Sequence, residues 1–453
     1  MVKLVDQLFS SQLVEFLADL RQRMAEPNPL LQRQLRLVLL DTAATAIANL
    51  SVPELVALQQ QQSHLSPGKQ RLPGFCTALT PAASALVLAA SACWDELVEG
   101  YAPSHGRPAL HAVPLCLSLG HALGGRPGGR LSRTLEALLL AYELGARLGE
   151  SYRVPPGEHV DGTWGTVVAS LTAAVLLDVG ASAEIEAVSI ALCQMSRSLF
   201  AAVQEGDDCR LLYAGLAASR GVDLALAAAA GWRGPKALDG DPVLLRLEAM
   251  PLDLAPRRTL AINGGYVKLQ PGARHLHYAA EAARIWRVRF GAGSDRGSTV
   301  SSQVGPGPIQ LRTYPEAIQY CGQSDPSNRI QAQFSLAFAV AASLRWGTLE
   351  RKCFTSQALA DPDLRLLMGR IQLVAVEDGE GRWAEVVMSD AAGELQSARV
   401  DGLPGDPDQP ITEAQRLKKA KDLMDPVLGD AATDRLISHW LEATGSSPLW
   451  PVS

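Results

Sequence analysis

A long series of apolar stretches with helical periodicity constrains the fold of this chain more than any other feature. From about residue 5 to residue 265, apolar side chains recur at helical spacing, and short Gly- and Pro-containing segments separate the stretches. Small residues dominate many faces, as in the alanine run at 227–230. Because small side chains let helix axes approach closely, the pattern predicts a compact domain of largely buried helices.

The individual helices can be placed from the same periodicity. The predicted helices of this part are Val5–Met24, Leu31–Leu50, Thr80–Trp94, Leu110–Leu123, Ser132–Leu148, Thr163–Leu177, Ser182–Val203 and Gly215–Ala230. The charge-free stretch Gly74–Trp94 is long enough for a membrane-spanning helix. Because Pro81 interrupts it and Ala and Ser dominate it, we expect a buried helix of the bundle, and no membrane.

The pattern changes after Pro256, where β-rich runs alternate with helical ones. The predicted strands are Ile285–Phe290, Ile309–Tyr314, Ile371–Val376 and Ala384–Met388, and the predicted helices are Ile330–Leu344 and a short one around Asp361–Leu367. A Pro- and Gly-rich linker, Gly402–Pro410, precedes two further helices, Thr412–Met424 and Ala432–Ala443. The sequence therefore predicts a mainly α fold: an all-helical domain (1–265), a smaller α+β domain (266–401), and a linker with helices returning to the helical domain (402–453).

Charge and cysteine usage exclude several classes of function. The 453 residues carry a net charge of −6, without the clustered Lys and Arg of a nucleic-acid surface. The seven cysteines lie far apart with no CxxC pair, which is typical of reduced thiols in a cytoplasmic protein. Their spacing also fails that of zinc and iron–sulfur sites. No apolar run follows the first residues, so we expect no secretory signal.

Four stretches, in this order, carry a resemblance to a known family. They are Asp161–Leu199, which begins DGTWG; Glu205–Gly221; Lys268–Ala283, which contains HLH; and Arg329–Gly347, which contains FSLAF. Together they resemble the MmgE/PrpD family, and weaker similarity extends over nearly the whole chain. The resemblance implies a large helical domain with a smaller α+β lid, a homodimer, and an active site between the two domains.

The resemblance also implies chemistry without a cofactor or metal on a small di- or tricarboxylate. The reactions are dehydration of 2-methylcitrate, decarboxylation of cis-aconitate or epimerisation of iminodisuccinate. Each makes or breaks a bond at a carbon beside a carboxylate. Such chemistry needs cations that hold carboxylates and a proton shuttle at the reacting carbon.

Several residues match the family's functional positions. In the second domain, His277 fits the catalytic histidine, His275 its partner, and Lys268 the substrate-binding lysine. In the helical domain, His159 also fits a substrate-binding position. Arg210 stands where the family usually has lysine, and Tyr213 stands where it often has histidine.

The acidic motif of the helical domain can be aligned in two ways. Without a gap, Glu96 and Glu99 fill acidic positions and Arg107 replaces a histidine. With an insertion, Asp95 and His105 match instead. Arginine holds a carboxylate well but does not act as a base, since guanidinium keeps its proton.

Each candidate also has a structural interpretation. His275 and His277 could be exposed residues at a helix start, and Glu96 and Glu99 could cap a helix. Arg210 could pair with Asp207 or Asp208. On its apolar helix face, His111 is expected to be a hydrogen-bonded core histidine.

Two hypotheses follow. In the first, the chain is a lyase or isomerase in which His277 is the leading acid or base, and Glu96, Glu99 or His105 is a second. Arg107, Arg210 and Lys268 would then hold the substrate carboxylates. In the second, the chain is a binding or scaffold protein that kept the fold and lost the chemistry.

Overall fold

The computed structural model describes residues 9–69, 71–152, 154–236, 252–291, 305, 307–377 and 381–451. It confirms the predicted mainly α architecture with a small mixed sheet in the C-terminal region. The helices of the N-terminal region are α1 (Phe9–Ala25), α2 (Pro29–Ile47), α3 (Pro53–Leu65), α4 (Pro81–Cys93), α5 (Pro108–Leu123), α6 (Leu131–Ser151), α7 (Gly165–Leu176), α8 (Ala181–Leu192), α9 (Ala201–Glu205) and α10 (Leu212–Ala229).

Helix α4 shows why the charge-free stretch forms a buried helix. Pro81 occupies the first helical turn, where its missing N–H costs nothing, and the Thr80 hydroxyl accepts a hydrogen bond from the Ala83 N–H. Every residue from Ala83 to Cys93 is buried. The helix therefore lies inside the bundle, as predicted.

Helix α7, which follows the DGTWG motif, lies at the centre of the bundle. All twelve of its residues are buried, and it packs against α5, α6, α8 and α10. Gly165 must be a glycine, because a Cβ there would lie 2.1 Å from Cδ2 of His111. One helix among the described residues, Asp208–Ala229, is long and apolar enough to cross a membrane, but half of its apolar window is buried and it packs against α4 and α7.

One predicted helix in this region, Ser182–Val203, is wrong beyond its first half. Helix α8 ends at Leu192, and the short strand β2 (Ser198–Leu199) pairs antiparallel with β1 (Glu158–His159). The competing interaction is this pairing, which helical periodicity does not reveal. The first residues of the predicted helix Val5–Met24 lie outside the described residues.

The second region contains helices α11 (Arg274–Phe290), α12 (Pro315–Cys321), α13 (Arg329–Ala332), α14 (Leu336–Trp346), α15 (Ser356–Leu359) and α16 (Pro362–Met368). Its sheet has the order β4-β3-β5-β6, built from β3 (Ile309–Thr313), β4 (Ile371–Ala375), β5 (Ala384–Ser389) and β6 (Leu395–Val400). Strands β3 and β4 are parallel, with Ile309 opposite Ile371, and the other pairs are antiparallel. Helix α11 packs against α14 and against β5 and β6.

The predicted strand Ile285–Phe290 is wrong, because these residues form the last turns of α11. Buried residues at Ala279, Ala282, Ala283 and Trp286 follow helical spacing against the sheet, and this packing outweighs the β propensity of the local run. Strand β6 was not predicted. Its two buried positions, Ala398 and Val400, are separated by the exposed Arg399, and the three residues before them are not buried.

The last two helices, α17 (Glu413–Leu428) and α18 (Asp430–Glu442), lie against the N-terminal helices. Helix α17 packs on α2, where the buried Lys419 pairs with Asp41 at 2.7 Å. Two separate apolar cores result. The larger combines residues from 9–262 and 420–449, and the smaller is formed mainly by residues 273–403.

Candidate functional site

A cavity of about 530 Å³ lies between the two regions and is lined by side chains from both. Its ionisable lining includes three cationic residues of the second region, Lys268, Arg274 and Arg382. It also includes three histidines: His105, His159 and His275. The cationic side chains can bind anions, and Lys268 and the histidines can move protons, so the cavity is the candidate functional site.

A buried ion network forms the floor of the cavity on the helical side. The Glu96 carboxylate accepts hydrogen bonds from Arg107 (2.9 Å) and from Arg210, and Arg107 also donates to Asp161. Arg107 precedes α5, Arg210 precedes α10, and Asp161 begins the DGTWG motif. The network therefore joins three distant stretches of sequence, and it uses both arginines internally.

The charges of this network stabilise each other. Burial alone would raise the pKa of Glu96, but Arg107, Arg210 and Lys268 hold it well below its usual value. Burial opposes ionisation of Asp161 as well, and Arg107 lowers its pKa. Both carboxylates are therefore ionised, and their negative charges compensate the positive charges of the arginines that face them.

Two non-glycine residues at this site have left-handed backbone conformations. Glu96 and His105 both have a φ of 52°. This region costs an ordinary residue about 1–2 kcal/mol, so the surroundings must hold it. The ion pairs of Glu96 supply that restraint, and strained residues of this kind concentrate at functional sites.

Lys268 brings an amine to the same network. Its Nζ donates to the main-chain oxygens of Glu96 (2.8 Å) and Gly272 (3.2 Å) and lies 3.5 Å from Glu96 Oε2. Burial lowers its pKa to about 7, with Glu96 opposing the shift and Arg107 and Arg274 adding to it. An amine of this kind accepts and donates protons near neutral pH.

His159 is held by the turn that follows β1. Its Nδ1 accepts a hydrogen bond from the Asp161 N–H at 3.0 Å, and its ring stacks on Phe200 with the planes at 16°. Burial lowers its pKa to about 4, so the ring is neutral and carries its proton on Nε2. His159 therefore offers the cavity an N–H donor.

His275 lies in the first turn of α11 and lines the cavity. Its Nδ1 is 2.5 Å from the Tyr314 hydroxyl, and its ring stacks on Tyr320. Burial lowers its pKa to about 3, and Arg382 contributes to the shift. The ring is neutral at physiological pH.

His277, the leading catalytic candidate from the sequence, does not line this cavity. The Pro271 carbonyl, which only accepts, lies 3.1 Å from Nε2, so the ring donates there and its Nδ1 faces Nη1 of Arg274 at 3.3 Å. Burial and the nearby Arg274 hold its pKa well below the usual value. In this geometry His277 orients Arg274, which also pairs with Asp406 at 2.5 Å.

Arg382, two residues before the start of β5, was not singled out in the sequence. It lines the cavity beside the ring of Tyr266, with 5.6 Å between the guanidinium carbon and the ring centroid. It makes no ion pair with any residue that the structure describes. No local motif surrounds it, so only the folded sheet reveals its place in the site.

His105 lies at the rim, where its exposed ring is 3.3 Å from Glu316 of α12. Of the two aligned alternatives, Arg107 is buried within the network and His105 faces the cavity mouth. Both residues line the cavity. The contact between His105 and Glu316 joins the two sides of the opening.

Three other predicted site residues lie outside the cavity. Glu99 is buried behind it and accepts a hydrogen bond from the Tyr142 hydroxyl at 2.9 Å, and Arg210 lies beneath Glu96. Tyr213 donates to the Leu199 carbonyl at 2.9 Å. Thus six of the ten predicted residues line the cavity (Glu96, His105, Arg107, His159, Lys268 and His275), and four do not (Glu99, Arg210, Tyr213 and His277).

The structure also shows the hydrogen-bond and ion-pair partners of Arg210 and His111. Arg210 pairs with Glu96 rather than with Asp207 or Asp208. His111 accepts a hydrogen bond from the Gly162 N–H at 3.1 Å on Nε2, and its Nδ1 faces the Arg107 carbonyl at 3.3 Å. It is the hydrogen-bonded core histidine that its position predicts.

Comparison with known protein families assigns the chain to a class. The MmgE/PrpD N-terminal domain matches residues 11–241, and the MmgE/PrpD C-terminal domain matches residues 271–443. The chain therefore belongs to the MmgE/PrpD family, as its motifs predict. The family includes dehydratases and other lyases, which suggests a lyase-like or related function. No curated protein matched the chain.

Proposed function

We propose that this protein is a cofactor-independent lyase or isomerase that acts at the carbon beside a carboxylate of a small carboxylic acid. The observation that carries the proposal is the amine of Lys268, buried in a cavity that also presents Arg274 and Arg382. Guanidinium groups bind carboxylates, and a lysine with a lowered pKa transfers protons near neutral pH. Small di- and tricarboxylates are the first substrates to test.

In this mechanism the neutral amine of Lys268 takes the proton from the carbon next to the carboxylate. The N–H bond forms as the C–H bond breaks, and the electron pair moves into the carboxylate as an enediolate. Arg274 and Arg382 stabilise the added negative charge. His159, which carries its proton on Nε2, donates a hydrogen bond to the departing group or to the carboxylate.

Two of the family's reactions begin with this proton transfer. In dehydration the electron pair expels a neighbouring hydroxyl group, which leaves as water with the proton that Lys268 has taken up. In epimerisation a water molecule protonates the other face of the carbon, and the ammonium form of Lys268 returns its proton to the hydroxide that remains. Decarboxylation begins differently: carbon dioxide leaves, the electrons of the broken C–C bond stay on carbon, and the ammonium form of Lys268 protonates this carbanion. Lys268 has a role in each.

Proton NMR in heavy water tests this proposal directly. The purified protein is mixed with citrate, 2-methylcitrate, cis-aconitate, iminodisuccinate and related acids, and the spectra are followed for alkene signals or deuterium uptake beside a carboxylate. We expect a change with the wild type and with the control Lys418→Met, whose lysine is exposed and pairs with Asp422. We expect no change with Lys268→Met. Equal turnover by Lys268→Met would contradict the assigned role.

One observation favours a second candidate function, a binding protein that has lost its chemistry. Arg107 and Arg210 occupy positions where the family usually has proton-transferring residues, and both are paired with Glu96 and Asp161. A carboxylic acid that raises the melting temperature without any spectral change would favour this candidate, since binding to the native state alone is sufficient for stabilisation.

The carboxylate substrate and metal independence are part of the proposed chemistry. The resemblance to the family implies a homodimer, and we further propose a cytoplasmic location and no nucleic-acid partner. Light scattering at several protein concentrations measures the oligomeric state. Activity that persists after dialysis against a chelator would support metal independence.

A further inference from the structure

The charges around the cavity are unevenly compensated. Arg107 and Arg210 face Glu96 and Asp161, and Arg274 faces Asp406, so each of these guanidinium groups has a carboxylate partner. The acidic residues at the rim are also paired: Glu158 with Arg197 at 2.5 Å and Glu316 with His105 at 3.3 Å.

Arg382 differs from every other arginine of the lining. It faces the cavity beside Tyr266, and no carboxylate of the described residues pairs with it. Lys268 is the other basic group, and its hydrogen bonds go to two main-chain oxygens. A buried carboxylate needs a cation and hydrogen bonds. The cavity therefore offers one strong position for a substrate carboxylate, at Arg382. A second substrate carboxylate would find no further arginine of the lining without a carboxylate partner.

One wall of the cavity is aromatic and is formed by the residue after β2, by α12 and by the segment before α14. Phe200 contacts Tyr320 and Phe334 edge-on, with ring centroids 5.7 Å and 6.2 Å apart, and Phe200 also stacks on His159. Phe200, Tyr320 and Phe334 line the same cavity as Arg382. A citrate-like acid is polar on all sides and gains nothing from such a wall, whereas an apolar group gains by leaving water.

The volume agrees with a ligand larger than a citrate-like acid. The described residues enclose about 530 Å³, which is within the range of pockets that bury drug-sized ligands. The strong carboxylate position and the aromatic wall belong to the same cavity. The arrangement fits a molecule with a charged end and an apolar end.

We propose that the substrate is a monocarboxylic acid that carries an aryl or similarly bulky apolar group, with its carboxylate on Arg382 and its apolar group against Phe200, Tyr320 and Phe334. This inference rests on the proposed function, and it narrows the substrate from the polycarboxylates of the family to an amphipathic acid. Arg382 is then the residue that selects for the charged end.

Binding measurements with small probes test this inference without requiring turnover. Isothermal titration compares 3-phenylpropionate, its amide 3-phenylpropanamide, and the tricarboxylate tricarballylate on the full-length protein. We expect 3-phenylpropionate to bind the wild type more tightly than tricarballylate. Arg382→Gln should weaken 3-phenylpropionate by at least about tenfold and change binding of the amide by less than about twofold, since only the acid has a charge-assisted hydrogen bond to lose.

Matched variants separate these contacts from general damage to the domain. Arg312→Gln removes an arginine of β3 that pairs with Glu385 outside the cavity, and Phe290→Ala removes a half-buried ring outside the cavity. Both should bind 3-phenylpropionate like the wild type. Phe200→Ala should weaken the aryl acid and leave the short acid propionate unchanged.

Three outcomes would overturn the inference: tighter binding of tricarballylate, equal affinity in Arg382→Gln, or no binding of any aryl or alkyl monocarboxylate. The proposed function fails separately. A protein that binds 3-phenylpropionate through Arg382 but transforms no carboxylic acid would contradict the proposed chemistry and leave the ligand class standing. Turnover of a tricarboxylate without binding of aryl acids would do the reverse.

Discussion

The amine of Lys268 donates a hydrogen bond to the main-chain oxygen of Glu96 at 2.8 Å, and the backbone of Glu96 is in the left-handed region. The position of the lysine therefore depends on the conformation of a residue on the opposite side of the cavity. The Glu96 side chain is fixed in turn by Arg107 and Arg210. Through these contacts, the ion network of the helical region sets the geometry of the basic group of the second region.

The first expectation concerns the pH dependence of turnover. Because the pKa of Lys268 is lowered to about 7, kcat/KM should rise with pH through about 7 if the neutral amine is the base. Lys268→Met should reduce kcat/KM by about 10²–10⁴-fold and remove this ionisation. Lys268→Arg should be equally inactive, because guanidinium keeps its proton. An unchanged pH profile in Lys268→Met would exclude the lysine as the group that titrates.

The second expectation compares the carboxylates of Glu96 and Glu99. Glu96→Gln removes one of the two carboxylates that face Arg107 and Arg210, so two buried guanidinium groups share the single charge of Asp161. We expect the free energy of unfolding to fall by about 3 kcal/mol, as for broken buried pairs. Glu99→Gln keeps an acceptor for the Tyr142 hydroxyl and should retain most turnover, because Glu99 does not line the cavity. Chemical denaturation measures the stability of each variant, and NMR assays measure its turnover. A Glu96→Gln variant as stable as the wild type would contradict the importance of the network.

The third expectation is a pH-dependent stability difference at Glu99. Burial raises the pKa of Glu99 to about 7, above its unfolded value, so the folded state binds the additional proton between the two values. This contribution to stability is present at low pH and is lost as the pH rises through about 7. The free energy of unfolding of Glu99→Gln, relative to that of the wild type, should therefore rise by roughly 2 kcal/mol from about pH 5 to about pH 8.5. Denaturation at both pH values measures the change; a constant difference would contradict a raised pKa.

The sequence predicts the helical part of the fold well because long stretches of small and apolar residues are separated there by short Gly- and Pro-containing segments. The stretch around Pro81 and the segment after DGTWG both form helices that are buried on all sides. Prediction fails where tertiary contacts choose between structures. Residues 285–290 have strand-like composition but continue a helix against the sheet, and Ser198–Leu199 leave a helical pattern to pair with β1.

The candidate site is only partly predictable for the same reason. Motif position identifies Lys268, His159 and His275, because these residues lie at helix starts or turns beside recognisable segments. Motif position does not show which of two neighbouring histidines faces the cavity. His275 and His277 therefore cannot be distinguished by spacing alone. Arg382 carries no motif, and its role depends on where β5 begins in the folded sheet.

The last expectation concerns His277 and Arg274. Because Nδ1 of His277 faces the Arg274 guanidinium at 3.3 Å, and the other ring nitrogen faces the Pro271 carbonyl, we expect the histidine to position the arginine rather than to transfer a proton. His277→Gln should raise KM by about tenfold, change kcat by less than about threefold, and keep the ionisation near pH 7. In the Arg274→Gln background the same substitution should have little further effect, since the two residues act through one contact. A fall in kcat of about 10²-fold or more, with loss of an ionisation, would instead identify His277 as the proton-transferring group.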